Sequence, residues 1–197
     1  MSTTSSRQSR RRVPAAQRRD ALIAAAIEEF ALGGLHGTPV ERIASRVGVA
    51  QPYVFSLFST KRDLFIAAVE QGFQLVMDLF AERAAEFTRI GGGSREELMR
   101  SLGERYIETL ATNRPKLMFQ LQAYAACDDE TIRAHVRAMY ERLAVQIGEL
   151  TGSSAEEVSD FLSHGMWLSV QAAIGNPDLE AACQWIRGRQ AGDVQAG

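Results

Sequence analysis

The chain has 197 residues, of which 46% are hydrophobic and 23% charged, and its formal net charge is −2. These values are typical of a globular protein with one or two small domains and ample length for a buried core. The two cysteines, Cys127 and Cys183, have no CxxC partner, a pattern that excludes a zinc ribbon and a disulfide framework. No eighteen-residue apolar span is apparent, so neither a transmembrane segment nor a membrane partner is expected.

Charge is divided unevenly along the chain. Residues 1–62 carry ten Arg and Lys residues against four acids, a net charge of +6, whereas residues 63–197 carry twelve against twenty, a net charge of −8. A basic end on an acidic body favours a protein that meets DNA with one end only. Residues 1–14 are Ser-rich and basic and are predicted to be a disordered arm that adds salt-sensitive affinity for DNA. A solvated tail without a role is the alternative.

The first two helices are predicted from periodicity and caps. Apolar residues spaced at three and four predict helix 1 over about residues 15–32, ended by the pair Gly33-Gly34. Helix 2 is predicted to begin with Thr38 as cap, Pro39 in the first position and Glu41 as the capping-box partner.

The third helix follows almost at once. Gly48 predicts the end of helix 2, and Gln51 as cap with Pro52 in the first position predicts helix 3. Two short helices joined by a few residues around a glycine form a helix-turn-helix. Its second helix is predicted to turn Pro52, Tyr53, Phe55 and Ser56 away from the core, where a recognition helix faces base edges.

Residues 19–64 resemble the DNA-binding domain of the tetracycline-repressor (TetR/AcrR) family of bacterial transcription regulators. The resemblance lies in the helix 1 sequence LIAAAIEEFALGG, in the G-T-x-x-x-x-I-A of Gly37–Ala44 and in the G-V-x-x-x-x-x-F-x-x-F-x-x-K of Gly48–Lys61. The family usually has tyrosine where this chain has Phe55, and that hydroxyl commonly reaches a phosphate. Phe55 lacks the donor, and Tyr53 is a candidate to supply it.

The resemblance and the predicted faces together assign DNA contacts. Direct base contacts are expected from Gln51, Pro52, Tyr53 and Ser56, with Phe55 able to stack or to touch a thymine methyl. Thr38, Arg42 and Lys61 are expected to hold phosphates, and Arg18 and Arg19 to add diffuse positive charge.

The rest of the chain is predicted to be helical, so that the protein is all-α with about nine helices. The later helices are expected over about residues 61–88, 95–112, 115–126, 130–151, 155–174 and 178–188. A homeodomain-like domain over 15–60 would then be followed by an effector-binding and dimerisation domain over 61–190 and a frayed tail over 191–197. No strand pattern appears.

No catalytic set, metal site or cofactor motif is expected, because the three histidines are widely spaced and no nucleophile, P-loop or HExxH pattern occurs. The middle helices instead carry large apolar residues with a few polar handles, as an effector pocket would. Any helical core has the same composition, and the resemblance is what implies an effector among helices 4–8. The candidate pocket residues are Phe73, Met77, Phe80, Tyr106, Met118, Phe119, Gln122, His135, Met139 and Tyr140.

Helix 8 is apolar nearly all round, which predicts burial on more than one side. With helix 9 it would form a two-fold four-helix interface, since a lone helix-turn-helix reads only a half-site. The alternative is a central core helix of a monomer. The candidate interface residues are Val158, Phe161, Leu162, Gly165, Ser169, Ala172, Leu179 and Trp185.

These predictions together describe a cytoplasmic, homodimeric regulator rather than an enzyme: a repressor that binds a palindromic double-stranded operator and is released by a small apolar ligand. One alternative is a regulator of the same fold that activates, or that needs no effector. The other is a helical enzyme or ligand carrier whose helix-turn-helix is vestigial, against which the basic end argues.

Overall fold

The computed structural model describes residues 14–176, and its regular elements are all helices. The eight helices are α1 (Ala15–Gly37), α2 (Val40–Val47), α3 (Gln51–Leu57), α4 (Lys61–Arg89), α5 (Arg95–Thr112), α6 (Arg114–Ala125), α7 (Glu130–Thr151) and α8 (Ala155–Ala173). The all-α prediction is confirmed. The predicted ninth helix, most of the basic arm and the frayed tail lie outside the described residues.

The regular part of α1 breaks at Gly34, where the sequence predicted its end, and a short helical segment continues beyond the kink. Gly34 has φ 62° and ψ −171°, and helical residues resume up to Gly37. A Cβ at Gly34 would lie 2.6 Å from Oε1 of Gln122 on α6. Only glycine therefore satisfies both the left-handed backbone and the close approach of α6.

The caps of α2 and α3 differ from the prediction. The N-cap of α2 is Pro39, without a side-chain cap, since the Thr38 hydroxyl donates to the carbonyl oxygen of Glu29 on α1 at 3.1 Å. The N-cap of α3 is Ala50 rather than Gln51. Gly48 ends α2 in the left-handed conformation, as predicted.

The later helices α4, α5, α7 and α8 begin at side-chain caps. Thr60, Ser94 and Ser154 each form a capping box with the acid three residues later, and Asp129 caps α7 through the backbone N–H groups of Thr131 and Ile132. The 29 residues of α4 span about 44 Å at 1.5 Å per residue. This helix joins the helix-turn-helix to the remaining helices.

The length and composition of α4 correct one expectation. It contains an 18-residue window apolar enough to cross a membrane by those two criteria alone, and 44% of that window is buried against the other helices. Leu64 through Val69 are all buried. Packing against α1 and α7 accounts for this composition, as in any core helix.

Candidate functional site

The recognition helix α3 has one buried face and one open face. Val54 and Phe58 are buried, whereas Pro52, Phe55 and Ser56 are exposed, and 41% of Phe55 is accessible. The Ser56 hydroxyl donates to the Tyr53 carbonyl at 2.7 Å. Of the residues that the sequence assigned to base contacts, Pro52, Phe55 and Ser56 are thus open to solvent, whereas Gln51 and Tyr53 are half-buried.

Helix α2 is held against α1 by the buried carboxylate of Glu29, a contact that was not predicted from the sequence. Glu29 is only 5% exposed and accepts from Nε and Nη2 of Arg46 at 2.9 and 2.8 Å. Nη2 of Arg42 lies 2.9 Å from its other oxygen as an ion pair. The hydrogen bonds that Arg46 donates to Glu29 raise the pKa of the Arg46 guanidinium above its ordinary value. An acid within the apolar face of helix 1, and two arginines at i and i+4 on helix 2, were the available signal.

The residues predicted to contact phosphates differ in how accessible their polar groups are to solvent. Arg42 keeps 56% of its side chain exposed, whereas Thr38 is 2% exposed with its hydroxyl already used inside the protein. Lys61 donates from Nζ to the His36 carbonyl at 3.2 Å, and partial burial lowers its pKa. Arg42 and, in part, Lys61 therefore keep accessible charge, whereas the Thr38 hydroxyl is not accessible.

Two arginines of α1 cover aromatic rings of the helix-turn-helix. The Arg18 guanidinium lies 5.7 Å from the Tyr53 ring centre, and that of Arg19 lies 5.0 Å from the Phe58 ring centre. Cation–π contacts of this kind are worth about 0.5–1 kcal/mol at exposed sites. They place positive charge at the edge of the open face of α3.

A cavity of about 380 Å³ lies among α4, α5, α6, α7 and α8. Half of the predicted pocket residues line it, namely Phe73, Phe80, Tyr106, Phe119 and Tyr140. The other five do not: Met77 and Met139 are buried in the core, Met118 packs against it, Gln122 lies against Gly34, and His135 pairs with Glu70 at 3.1 Å.

The polar groups of the cavity wall form a chain of hydrogen bonds. The Tyr106 hydroxyl donates to Oε1 of Gln120 at 3.0 Å and lies 3.1 Å from the Ser169 hydroxyl. Nε2 of Gln120 donates to the Tyr124 hydroxyl at 3.3 Å. The sequence reading named Gln122, but the glutamine that lines the cavity is Gln120.

The cavity wall contacts α1 and the start of α4 through three phenylalanine rings. The Phe119 ring lies 5.5 Å from that of Phe65 on α4 and 6.4 Å from that of Phe30 on α1, and Phe30 and Phe65 are 4.9 Å apart. Phe30 and Phe65 are fully buried. We call Phe30, Phe65 and Phe119 the phenylalanine cluster.

The face of α8 assigned to dimerisation also makes contacts inside the subunit. Ser169 is fully buried beside Tyr106, a Cβ at Gly165 would meet the Tyr106 ring at 3.8 Å, and the Phe161 and Phe80 rings are 5.8 Å apart. Of the other candidates, Val158 is buried, Leu162 and Ala172 are half-buried, and Leu179 and Trp185 lie outside the described residues.

Apolar side chains remain open on other faces of α7 and α8. Val145 on α7 is 60% exposed, and Val170 and Ile174 at the end of α8 are 41% and 70% exposed.

Residues 22–68 match the family model described as "Bacterial regulatory proteins, tetR family". The helix-turn-helix segment of the chain is therefore similar to the DNA-binding domain of the TetR family. Over 60 residues the chain is 37% identical to the HTH-type transcriptional activator FasR of Mycolicibacterium smegmatis, and this match spans 30% of the chain and 27% of that relative.

The same fold occurs in solved structures of two bacterial regulators. The fatty acid degradation regulator FadR of Bacillus halodurans aligns with a TM-score of 0.70 at 17% identity, over 87% of this chain and 92% of that one. FadR of Bacillus subtilis, solved in complex with stearoyl-CoA, aligns with a TM-score of 0.68 at 16% identity, over 82% and 91%. The similarity in fold therefore extends over most of the chain and not only over its first helices.

Proposed function

We propose that the protein is a cytoplasmic transcriptional regulator that binds a palindromic DNA operator as a homodimer and is released by a small ligand in the cavity. The observation that carries the proposal is the open face of α3 in a helix-turn-helix of the TetR family. Pro52, Phe55 and Ser56 present that face to solvent.

Charge around this face supports DNA as the partner. Arg18 lies over the Tyr53 ring of α3, Arg42 keeps an exposed guanidinium on the neighbouring α2, and the first 62 residues carry a net charge of +6. Positive charge of this kind supplies most of the sequence-independent affinity for DNA. The Glu29 pairs hold α2 against α1, so the recognition helix is presented on a rigid support.

Dimerisation is proposed because one helix-turn-helix reads a single half-site. The exposed apolar residues Val145, Val170 and Ile174 support a partner along α7 and α8. The interface would use these faces rather than the small-residue face of α8, which the subunit occupies itself.

Control by a ligand is proposed because the cavity wall shares a buried contact with α1, to which α2 of the helix-turn-helix is tied through Glu29. Phe119 lines the cavity and packs against Phe30 of α1 within the phenylalanine cluster. A ligand that moves Phe119 must also disturb α1, since close-packed interiors transmit small displacements. FadR of Bacillus subtilis, which has a similar fold, was solved in complex with stearoyl-CoA, and this supports a ligand site here.

The direction of control has a second candidate. The curated relative that matches residues of this chain carries the name of an activator, which supports a regulator that raises transcription when bound. Transcription from a promoter with the selected operator, measured with purified protein and RNA polymerase, separates the two. A fall in transcript supports the repressor, and a rise supports the activator.

The test of DNA recognition is selection from random duplex DNA at two salt concentrations, followed by sequencing of the bound fragments. We expect an inverted repeat whose half-site centres lie one helical turn or more apart. Fragments without a common motif, and binding that vanishes at the higher salt, would contradict specific recognition by α3.

A further inference from the structure

The hydrogen-bond chain along the cavity wall ends in a donor with no acceptor among the described residues. A phenol has one hydrogen to donate, and Tyr106 donates its own to Oε1 of Gln120. Tyr124 accepts from Nε2 of Gln120 at 3.3 Å. Its own O–H donates to none of residues 14–176, so it can serve an acceptor in the cavity.

This donor keeps its proton across physiological pH. Burial is the largest effect on the Tyr124 hydroxyl and raises its pKa above the ordinary value. Burial likewise raises the pKa of Tyr106. Both groups are therefore neutral phenols, and Tyr124 offers a hydrogen bond rather than a charge.

The deep part of the cavity offers little to balance an ionic ligand. Its charged lining residues Asp78, Glu82 and Lys116 are all exposed and lie at its edge. His164 also lines it, with its ring stacked 6.1 Å from that of Trp167. An unpaired charge in an apolar site costs several kcal/mol, which favours an uncharged ligand.

Size and ring content limit the ligand further. The volume of about 380 Å³ is near the lower end of the roughly 300–1,000 Å³ of ligand pockets. Rings of Phe73, Phe80, Phe119 and Phe161 line it, and aromatic pairs gain beyond their buried area. One or two fused rings fit this volume, whereas a nucleotide-bearing thioester does not.

We propose that the cavity binds a small uncharged compound with an aromatic or alicyclic body and one carbonyl-type acceptor, which takes the hydrogen bond of Tyr124. This inference rests on the proposed function only in treating the cavity as the effector site. The relay through Gln120 and Tyr106 holds the donating hydroxyl in place.

The test compares two ligands of the same shape, 2-acetylnaphthalene and 2-isopropenylnaphthalene, in which a carbonyl oxygen is replaced by a methylene group. Calorimetry gives their dissociation constants for the wild-type protein and for Tyr124→Phe. We expect Tyr124→Phe to weaken 2-acetylnaphthalene about tenfold and to change 2-isopropenylnaphthalene less than twofold, since only the first loses a hydrogen bond. The ratio between the two ligands cancels general effects of the substitution.

A second variant checks which hydroxyl is the donor. Tyr140→Phe removes another hydroxyl from the same wall, one that makes no hydrogen bond to residues 14–176. It should keep the preference for the ketone, and loss of that preference in Tyr140→Phe would overturn the assignment to Tyr124. The wild-type comparison of the two ligands does not depend on either variant folding.

Binding of charged compounds and of operator DNA is measured as well. Tighter binding of 2-naphthoate or choline than of 2-acetylnaphthalene would overturn the uncharged class, as would failure of both naphthalenes to bind at 1 mM. Operator binding is measured in parallel by fluorescence anisotropy. Failure of the proposed function would appear as absent specific DNA binding while the ketone still binds, and failure of this inference as intact operator binding without the ketone preference.

Discussion

At the α1–α3 end a buried carboxylate pairs with two arginines and the apolar face of each helix is closed, whereas the α4–α8 end leaves a cavity of about 380 Å³ in its centre. The first arrangement fixes one geometry, because a paired charge and close packing have few alternatives. The second leaves space whose filling can change the positions of α4 and α6. The phenylalanine cluster lies between the two regions. Because the α1–α3 end is rigid, a displacement of α4 or α6 at the cavity is transmitted to α1 as a whole.

The largest expected effect is on the cluster itself. Phe30→Ala removes a fully buried ring and should lower the free energy of unfolding by about 3–5 kcal/mol. Phe55→Ala is the matched control: its ring is 41% exposed, so stability should change by less than about 0.5 kcal/mol, while operator affinity falls. Urea unfolding with both variants measures this, and equal losses would contradict the assigned burial.

Removing the carboxylate should cost less. We expect Glu29→Ala to lower stability by roughly 2 kcal/mol, below the value for a fully buried pair, because Arg42 and Arg46 remain 56% and 44% exposed. A double-mutant cycle with Arg46→Ala gives the coupling energy. Strict additivity would show that the pair does not fix α2 on α1.

Base reading and phosphate binding should differ in kind on the open face. Gln51→Ala should relax the preference at one base position at a cost of about 1–3 kcal/mol. Lys61→Ala should instead weaken all sequences about equally and reduce the salt slope by about one phosphate's worth. Binding to a panel of single-base operator variants at several salt concentrations separates them. A Lys61→Ala effect confined to one sequence would contradict its phosphate role.

The smallest expected effect is on the pH dependence of thermal stability, through Asp129. The backbone N–H of Ile132 and the Arg62 guanidinium lower the pKa of Asp129. A folded pKa below the unfolded one adds stability above the unfolded value of about 4, and this is lost as pH falls through the folded pKa. The Tm gap between wild type and Asp129→Asn should therefore narrow below about pH 4. A gap independent of pH would contradict the Asp129 contribution.

Local signals were readable from the sequence, and contacts between helices were not. The capping boxes at Thr60, Ser94 and Ser154 involve residues three apart, so spacing alone predicts them. The Thr38 hydroxyl bonds a carbonyl nine residues earlier, since α2 packs on α1. A local cap rule cannot anticipate that choice.

The same limit explains the cavity. Gln120 and Gln122 are two residues apart on α6, which is a rotation of about 200° around the helix axis. Gln120 therefore faces the cavity and Gln122 faces Gly34. Which of them faces inward depends on how α6 rests on α1. The small residues of α8 permitted close approach as predicted, but the approaching helix is the subunit's own α5.

One variant tests the central claim, that occupancy of the cavity controls DNA reading, without any ligand. Gly72 lines the cavity on α4, and a Cβ there would lie 3.8 Å from the Phe119 ring, so Gly72→Leu fills the space that a ligand would occupy. The matched control is Ala85→Leu, on an exposed position of the same helix outside the cavity.

The measurement is the operator dissociation constant of wild type and both variants, with 2-acetylnaphthalene binding as the check that the cavity is filled. We expect Gly72→Leu to abolish binding of 2-acetylnaphthalene and to change operator affinity about tenfold or more. If the protein is a repressor, the operator is bound more weakly. Ala85→Leu should change neither ketone binding nor operator affinity. Unchanged operator affinity in a Gly72→Leu protein that no longer binds the ketone would contradict control of DNA binding by the cavity.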